Sequence, residues 1–161
     1  MLATLAVPNP DAEMWAWGDD KHVRFWPRRM LHETSVHRAD ATFALGRDAV
    51  IEPSVAIDGV DEFLDNLPCA EYFAPKVSEL VGKGEVIRLS CTDDPAEWFV
   101  TLNPHGFAWS HEGSTNDVSV EGSASDMQLF VWGRRKIAEA DRLKVSGDER
   151  TLARWIENSA L

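Results

Sequence analysis

Glu85-Val86-Ile87-Arg88-Leu89-Ser90-Cys91 is where the chain changes its period. Val86, Arg88 and Ser90 fall on one side of an extended backbone and Ile87, Leu89 and Cys91 on the other, because successive side chains of a strand point to opposite faces. The same pattern recurs in short runs: Trp98 to Leu102, Phe107 to Ser110, and Val118 to Glu121. Between them stand Thr92-Asp93-Asp94-Pro95, Asn103-Pro104-His105-Gly106 and Gly113-Ser114-Thr115-Asn116, all turn chemistry. Four short strands at hairpin spacing predict an antiparallel sheet.

On either side of these strands the period is helical. Ser54 is suited to cap a helix that buries Ile57, Val60, Phe63, Leu64 and Leu67, with Asp58, Asp61, Glu62 and Asp65 on its wet side. Gly122-Ser123-Ala124-Ser125-Asp126 opens a helix with Met127, Leu129, Phe130, Val131 and Trp132 in the core, and Gly133 closes it. Arg134-Arg135-Lys136 follows, where cations complement a helix C-terminus. Asp148 is expected to cap a last helix burying Leu152, Trp155 and Ile156. The fold class expected is therefore α+β, an N-terminal arm and one long helix followed by a four-stranded antiparallel sheet packed with helices. The division falls at residues 1–47 and 48–161.

Composition excludes several function classes. The 161 residues are 44% hydrophobic and 27% charged, as in a globular protein. No apolar run reaches the roughly 18 residues needed to span a bilayer. Residues 1–10 have no basic region of the signal-peptide kind, so a cytoplasmic location is expected. A net charge of −11 argues against nucleic acid and anionic membrane as partners. Cys69 and Cys91 lack metal or redox spacing and read as buried thiols. Seven tryptophans suggest a large core or an apolar cleft.

Residues 1–24 read as an extended arm carrying Trp15 and Trp17, most simply clamped on the protein's own core. Phe25-Trp-Pro-Arg-Arg-Met-Leu-His-Glu-Thr-Ser-Val-His-Arg-Ala-Asp40 opens a helix from Pro27 to Leu45, stopped by Gly46. Its expected inward stripe is Met30, Glu33, Thr34, His37, Ala41, Ala44 and Leu45. At about 100° per residue, Glu33, His37 and Asp40 share one face. His32-Glu33 and His37 are one residue too far apart for the zinc-protease pattern His-Glu-x-x-His. What remains is Glu33-x-x-x-His37, two candidate ligands for a divalent metal, or else an ion pair satisfied by Arg29 or Arg38.

Three segments occur in order: Trp26-x-Arg-Arg-Met-x-His-Glu-Thr-x-x-His-Arg-x-Asp-Ala, Asp58-Gly-Val-Asp-Glu-Phe-Leu, and Gly122-Ser-Ala-Ser-Asp…Leu-Phe-Val-Trp-Gly-Arg134. Together they resemble the actinobacterial mycothiol-dependent maleylpyruvate isomerase family, from about Ala12 to Leu161. The resemblance implies a DinB-like four-helix bundle that binds a divalent metal, usually zinc, followed by a C-terminal domain similar to sterol carrier proteins. It maps the Glu-x-x-x-His pair of the last bundle helix onto Glu33 and His37. The first three helices and their histidine have no counterpart here, so the long helix reads as a bundle remnant in a truncated chain. A homodimer, or pairing with a separate N-terminal bundle chain, is the expected way to cover it.

If a partner completes the site, the resemblance implies an isomerase that adds the mycothiol thiolate to an acidic cis-alkene, with zinc or another divalent metal. Arg134 is then the residue expected to hold the substrate's carboxylates, with Arg135 as the fallback and Asp40 supporting the metal ligands or pairing with Arg28 or Arg29. The competing expectation is a non-catalytic module in which Trp98, Trp109, Trp132 and Phe107 hold a small acidic or apolar molecule or a protein partner.

Overall fold

A computed structural model describes residues 9–160 of the protein. The chain divides into two compact units, Met1–Ala49 and Val50–Leu161.

In the first unit the expected extended arm is a closed loop, apart from residues 1–8, which lie outside the described residues. The Met14 amide donates to the Lys21 carbonyl at 2.9 Å and the Val23 amide to the Ala12 carbonyl at 3.0 Å, about an antiparallel bridge between Glu13 and His22. Lys21 closes the loop, because its Nζ donates to the carbonyls of Ala16 at 2.9 Å and Gly18 at 2.5 Å. Helix α1, Phe25–Ala44, begins two residues before the expected Pro27. Trp17 packs edge-on to Phe25 at 5.6 Å, and the Trp26 indole donates to the Trp15 carbonyl at 3.1 Å. The helix stops at Gly46 as expected. The Gly46 amide bonds to the Phe43 carbonyl at 2.8 Å and the Arg47 amide to that of Thr42 at 3.2 Å, the paired bonds of a Schellman motif.

The expected inward stripe of α1 is the wrong one. Phe25, Arg29, His32, Val36 and Ala39 are buried, while Thr34, His37, Ala41, Ala44 and Leu45 are exposed. Both sets recur at three- and four-residue steps, and apolar residues are spread almost evenly round the helix. Period alone therefore cannot choose between them.

In the second unit, helix α2, Pro53–Asn66, is capped by Glu52 and not by Ser54. Pro53 takes the first helical position, which draws Ser54 into the first turn. The Glu52 carboxylate accepts from the Val55 amide at 3.1 Å and the Ser54 hydroxyl at 2.5 Å. Two short 3-10 turns, Leu67–Ala70 and Pro75–Glu79, lead to the sheet.

The sheet comprises β1 (Glu85–Cys91), β2 (Glu97–Asn103), β3 (Gly106–Ser110), β4 (Val118–Gly122) and β5 (Lys144–Gly147), in the order β3-β2-β1-β4-β5. It is five-stranded and mixed where four antiparallel strands were expected, because β1 and β4 run parallel. The fifth strand is only four residues long and mostly exposed, so it shows no alternation to read.

The parallel pair dictates the next connection. β3 runs parallel to β1 and β1 to β4, and the registers set Ser110, at the end of β3, level with Phe99, Arg88 and Ser119, near the start of β4. The connection therefore has to cross about 14 Å, three strand spacings, and to move only about 3 Å along the strands. Residues 111–117 can span about 23–25 Å fully extended, so the link reaches with slack. It crosses at Phe99, whose ring lies so close to Gly113 that a Cβ there would come within 2.8 Å of Cδ2 and nearer still to other ring atoms.

The link occupies one face and the helices take the other. Ile87, Leu89, Trp98, Val100, Leu102, Val118 and Val120 point to that second face and are fully or almost fully buried. Helices α3, Ala124–Val131, and α4, Glu149–Asn158, pack there with α2. Asp148 caps α4 as expected, accepting from the Arg150 amide at 3.1 Å. Leu152 and Trp155 are buried, but Ile156 is 39% exposed. Trp155 meets Phe107 edge-on at 5.2 Å. Cys69 and Cys91 are half-buried, short of the full burial expected. Burial, helped by Asp93 and Asp94, pushes the Cys91 thiol up to about 12. Among the described residues no helix is long and apolar enough to cross a membrane.

Two measurements check this architecture. Gly113→Ala is expected to destabilise the protein by about 1–3 kcal/mol in chemical denaturation, from overpacking on Phe99, and a Phe99→Ala background to remove most of that loss. The Glu85 carboxyl is held down to about 2 by the Lys83 amide, its own amide and the Arg154 guanidinium. A depressed carboxyl stabilises the fold above its unfolded value of about 4.3 and loses that contribution as pH falls towards its folded value. The stability gap between the protein and Glu85→Gln should therefore narrow from pH 5 to pH 2.

Candidate functional site

The expected cation at the end of α3 sits where the chain turns sharply. The Ser123 hydroxyl caps the helix, accepting from the Asp126 amide at 3.1 Å and donating to the Asp126 carboxylate at 2.8 Å. At the other end Gly133 takes a left-handed φ of 73°, open to glycine at little cost. The Gly133 amide bonds to the Phe130 carbonyl at 2.9 Å and the Arg134 amide to the Leu129 carbonyl at 2.7 Å.

This turn sends consecutive arginines to different places. Arg135 folds back beneath the helix, with its Nε 2.9 Å from the Asp126 carboxylate and its Nη1 3.0 Å from Glu139. The Arg135 and Asp126 side chains are only 8% and 9% exposed, so this is a buried, multiply bonded ion pair. Arg135 is committed to structure there, which takes away its value as the fallback anion holder. Arg134 donates from Nη1 to the Trp132 carbonyl at 2.7 Å and lines a cleft of about 190 Å³. Phe130, Trp132, Trp155 and Ile156 line the same cleft, with Ser159 at its edge. An aromatic wall with one cation at the rim suits a small molecule that is part apolar and part anionic. The volume equals about six waters, so the cleft holds something compact.

Part of the supposed wet side of α2 is built into the unit. Glu62 is 1% exposed, and the Asn66 amide nitrogen donates to its Oε1 and to its carbonyl, both at 2.9 Å. Asp61 Oδ1 accepts from the indole of the fully buried Trp98 at 2.5 Å and lies 3.3 Å from His111 Nε2. His111 Nδ1 lies 2.8 Å from the Glu97 carbonyl, which sets the ring between Trp98 and Trp109. The acidic run was misread because charge count outweighed position. The available signal was Trp98 on a core-facing register, since a buried indole N–H needs an acceptor.

Glu33 and His37 lie on the open side of α1. Their Oε2 and Nε2 are 3.2 Å apart, and their side chains are 30% and 65% exposed. The other Glu33 oxygen accepts from the buried Arg29, and His37 Nδ1 lies 3.1 Å from Asp40 Oδ2. Glu33 and Asp40 thus occupy opposite nitrogens of the ring. Among the described residues no three His, Cys, Asp or Glu side chains gather where they could hold a metal ion. Zinc takes at least three protein donors, so Glu33 and His37 fit one edge of such a site, and among the described residues no third donor joins them.

Residues 50–161 thus define an α+β domain, with helices on one face of a mixed sheet and a small aromatic cleft where two of them end. The family described as the MDMPI C-terminal domain, that of the mycothiol-dependent maleylpyruvate isomerases, matches residues 54–154, and the chain belongs to it. Among solved structures, a double mutant of the sec-alkyl sulfatase PisA1 shares the fold at 17% identity with a TM-score of 0.50, covering 63% of this chain. This chain spans only 16% of that sulfatase chain. Sterol carrier protein 2 like 2 from Aedes aegypti is 18% identical, covering 80% of this chain and 96% of that one with a TM-score of 0.36. No curated protein matches the sequence.

The two arginines should separate cleanly in denaturant. Arg135→Ala leaves Asp126 buried without its partner and is expected to cost about 3 kcal/mol or more. Arg134→Ala loses the bond to the Trp132 carbonyl at a half-buried position and should cost less.

Proposed function

We propose that residues 50–161 bind a small molecule carrying a carboxylate and a short apolar part, at the cleft between the ends of α3 and α4. The observation that carries this reading is the divergence of the two arginines. Arg135 is consumed by Asp126 and Glu139, while Arg134 is delivered to an aromatic cleft. The guanidinium fork matches a carboxylate bidentately, and Trp132 and Trp155 supply the apolar contact. Membership of the isomerase family supports an acidic ligand of this size.

A second reading has one observation in its favour, the exposed Glu33–His37 pair. In it the chain is the C-terminal part of a mycothiol-dependent cis–trans isomerase, and Arg134 orients the substrate's carboxylates. Zinc or another divalent ion would be held by Glu33 and His37 and by donors from another chain, where it would favour the thiolate form of mycothiol. The residues here would bind and orient substrate, and the chemistry would wait on that completion.

Maleate is the first probe for the cleft. Its addition is expected to perturb the fluorescence of the protein through Trp132 and Trp155. Arg134→Ala should weaken binding by about tenfold or more, as for loss of a charge-assisted hydrogen bond, with the fold intact by circular dichroism. Maleate binding equally well to Arg134→Ala, or leaving the tryptophans unperturbed, would overturn the reading.

A further inference from the structure

We propose that the free edge of β3 takes up an extended basic peptide as a further strand, with one of its side chains in a groove beside Phe107. The first support is the direction of the backbone groups. The Leu102 carbonyl accepts from the Gly84 amide at 2.8 Å and the Ala96 carbonyl from the Cys91 amide at 3.0 Å, both on the β1 side of β2. Successive residues of a strand bond to opposite neighbours, so Phe99 and Thr101 are bonded to β3, through their partners Ser110 and Ala108. Phe107 and Trp109 therefore turn N–H and C=O to the outside. Among the described residues nothing bonds to these four groups.

The two edges of the sheet are not alike. β5 is four residues long and carries Lys144, features that discourage a further strand. β3, Gly106-Phe-Ala-Trp-Ser110, has no charge, no proline and no bulge in its pairing with β2. An edge of that kind is a template for strand addition. Main-chain bonds then give affinity, and pockets for alternate side chains give specificity.

Such a pocket lies at the start of β3. A groove of about 410 Å³ has Pro68, Val77 and Phe107 as apolar walls, with Ser78, His105 and the carboxylate of Glu71 also lining it. It shares no lining residue with the cleft of Arg134. Residues directly opposite on neighbouring strands point to the same face, so the incoming side chain opposite Phe107 is directed to the groove. Apolar walls suit the stem of a lysine or arginine, and Glu71 suits its charged end. The net charge of −11 selects a basic peptide over an acidic one.

The test uses the full chain and two synthetic peptides, four Val-Lys repeats and four Val-Glu repeats, followed by calorimetry and amide hydrogen exchange. The Val-Lys peptide is expected to bind and to slow exchange at the Phe107 and Trp109 amides, which are fast in the free protein. N-methylation of one alternate set of its amides should abolish binding and of the other set leave it unchanged, because only one set faces β3. Ser78→Trp, which fills the groove, should weaken binding about tenfold or more with the circular dichroism spectrum unchanged. Glu71→Gln should weaken it about two- to fivefold. No binding, equal binding of the Val-Glu peptide, or binding that leaves both amides exchanging fast would overturn the proposal. A dimer of the free protein with both amides protected would overturn it in favour of a second copy on the same edge.

Discussion

Pairing β1 with β4 in parallel ties together two strands that are far apart in sequence, and it leaves only residues 111–117 to bring the chain back. The registers bring the end of β3 level with the start of β4, so this link runs across the strands, and it sets Gly113 against Phe99 on one face. The three helices of this unit pack on the opposite face, where Ile87, Leu89, Trp98, Val100, Val118 and Val120 are buried. The ends of α3 and α4 meet on that side, and their meeting makes the cleft.

Electrostatics divides similar residues by depth. Asp126 and Arg135 are buried together, and the cost of desolvating both charges is offset by hydrogen bonds on each. Arg134, one residue earlier, keeps its guanidinium at the cleft. Asp61 and Glu62 show the same division on α2, for one receives the Trp98 indole and the other is sealed in with Asn66. On α1 the buried Arg29 reaches outward to Glu33. In each case a committed charge sets the direction of its neighbour.

The α+β class, the start and stop of α3, the start of α4 and the end of α1 were all legible, because Ser123, Asp148, Gly46 and Gly133 act within one or two residues of where they stand. The cap of α2 was misassigned for an equally local reason, since Pro53 outranked Ser54. The fifth strand, the parallel pair and the buried role of Glu62 left no local trace. Each depends on residues separated by dozens of positions. Arg134 lines a cleft and Arg135 does not, yet nothing in Arg134-Arg135-Lys136 told the two arginines apart.

The sequence by itself determined where the helices and four of the five strands lie, and which two residues of α1 could act together. Capping, turn chemistry and period are short-range forces written in neighbouring residues. Only the tertiary structure decided which face of α1 is open. Phe25, Arg29, His32, Val36 and Ala39 repeat as regularly as Thr34, His37, Ala41 and Ala44, and burial alone breaks the tie. It likewise decided which arginine is buried and which lines the cleft, since a side chain's fate is set by what packs over it.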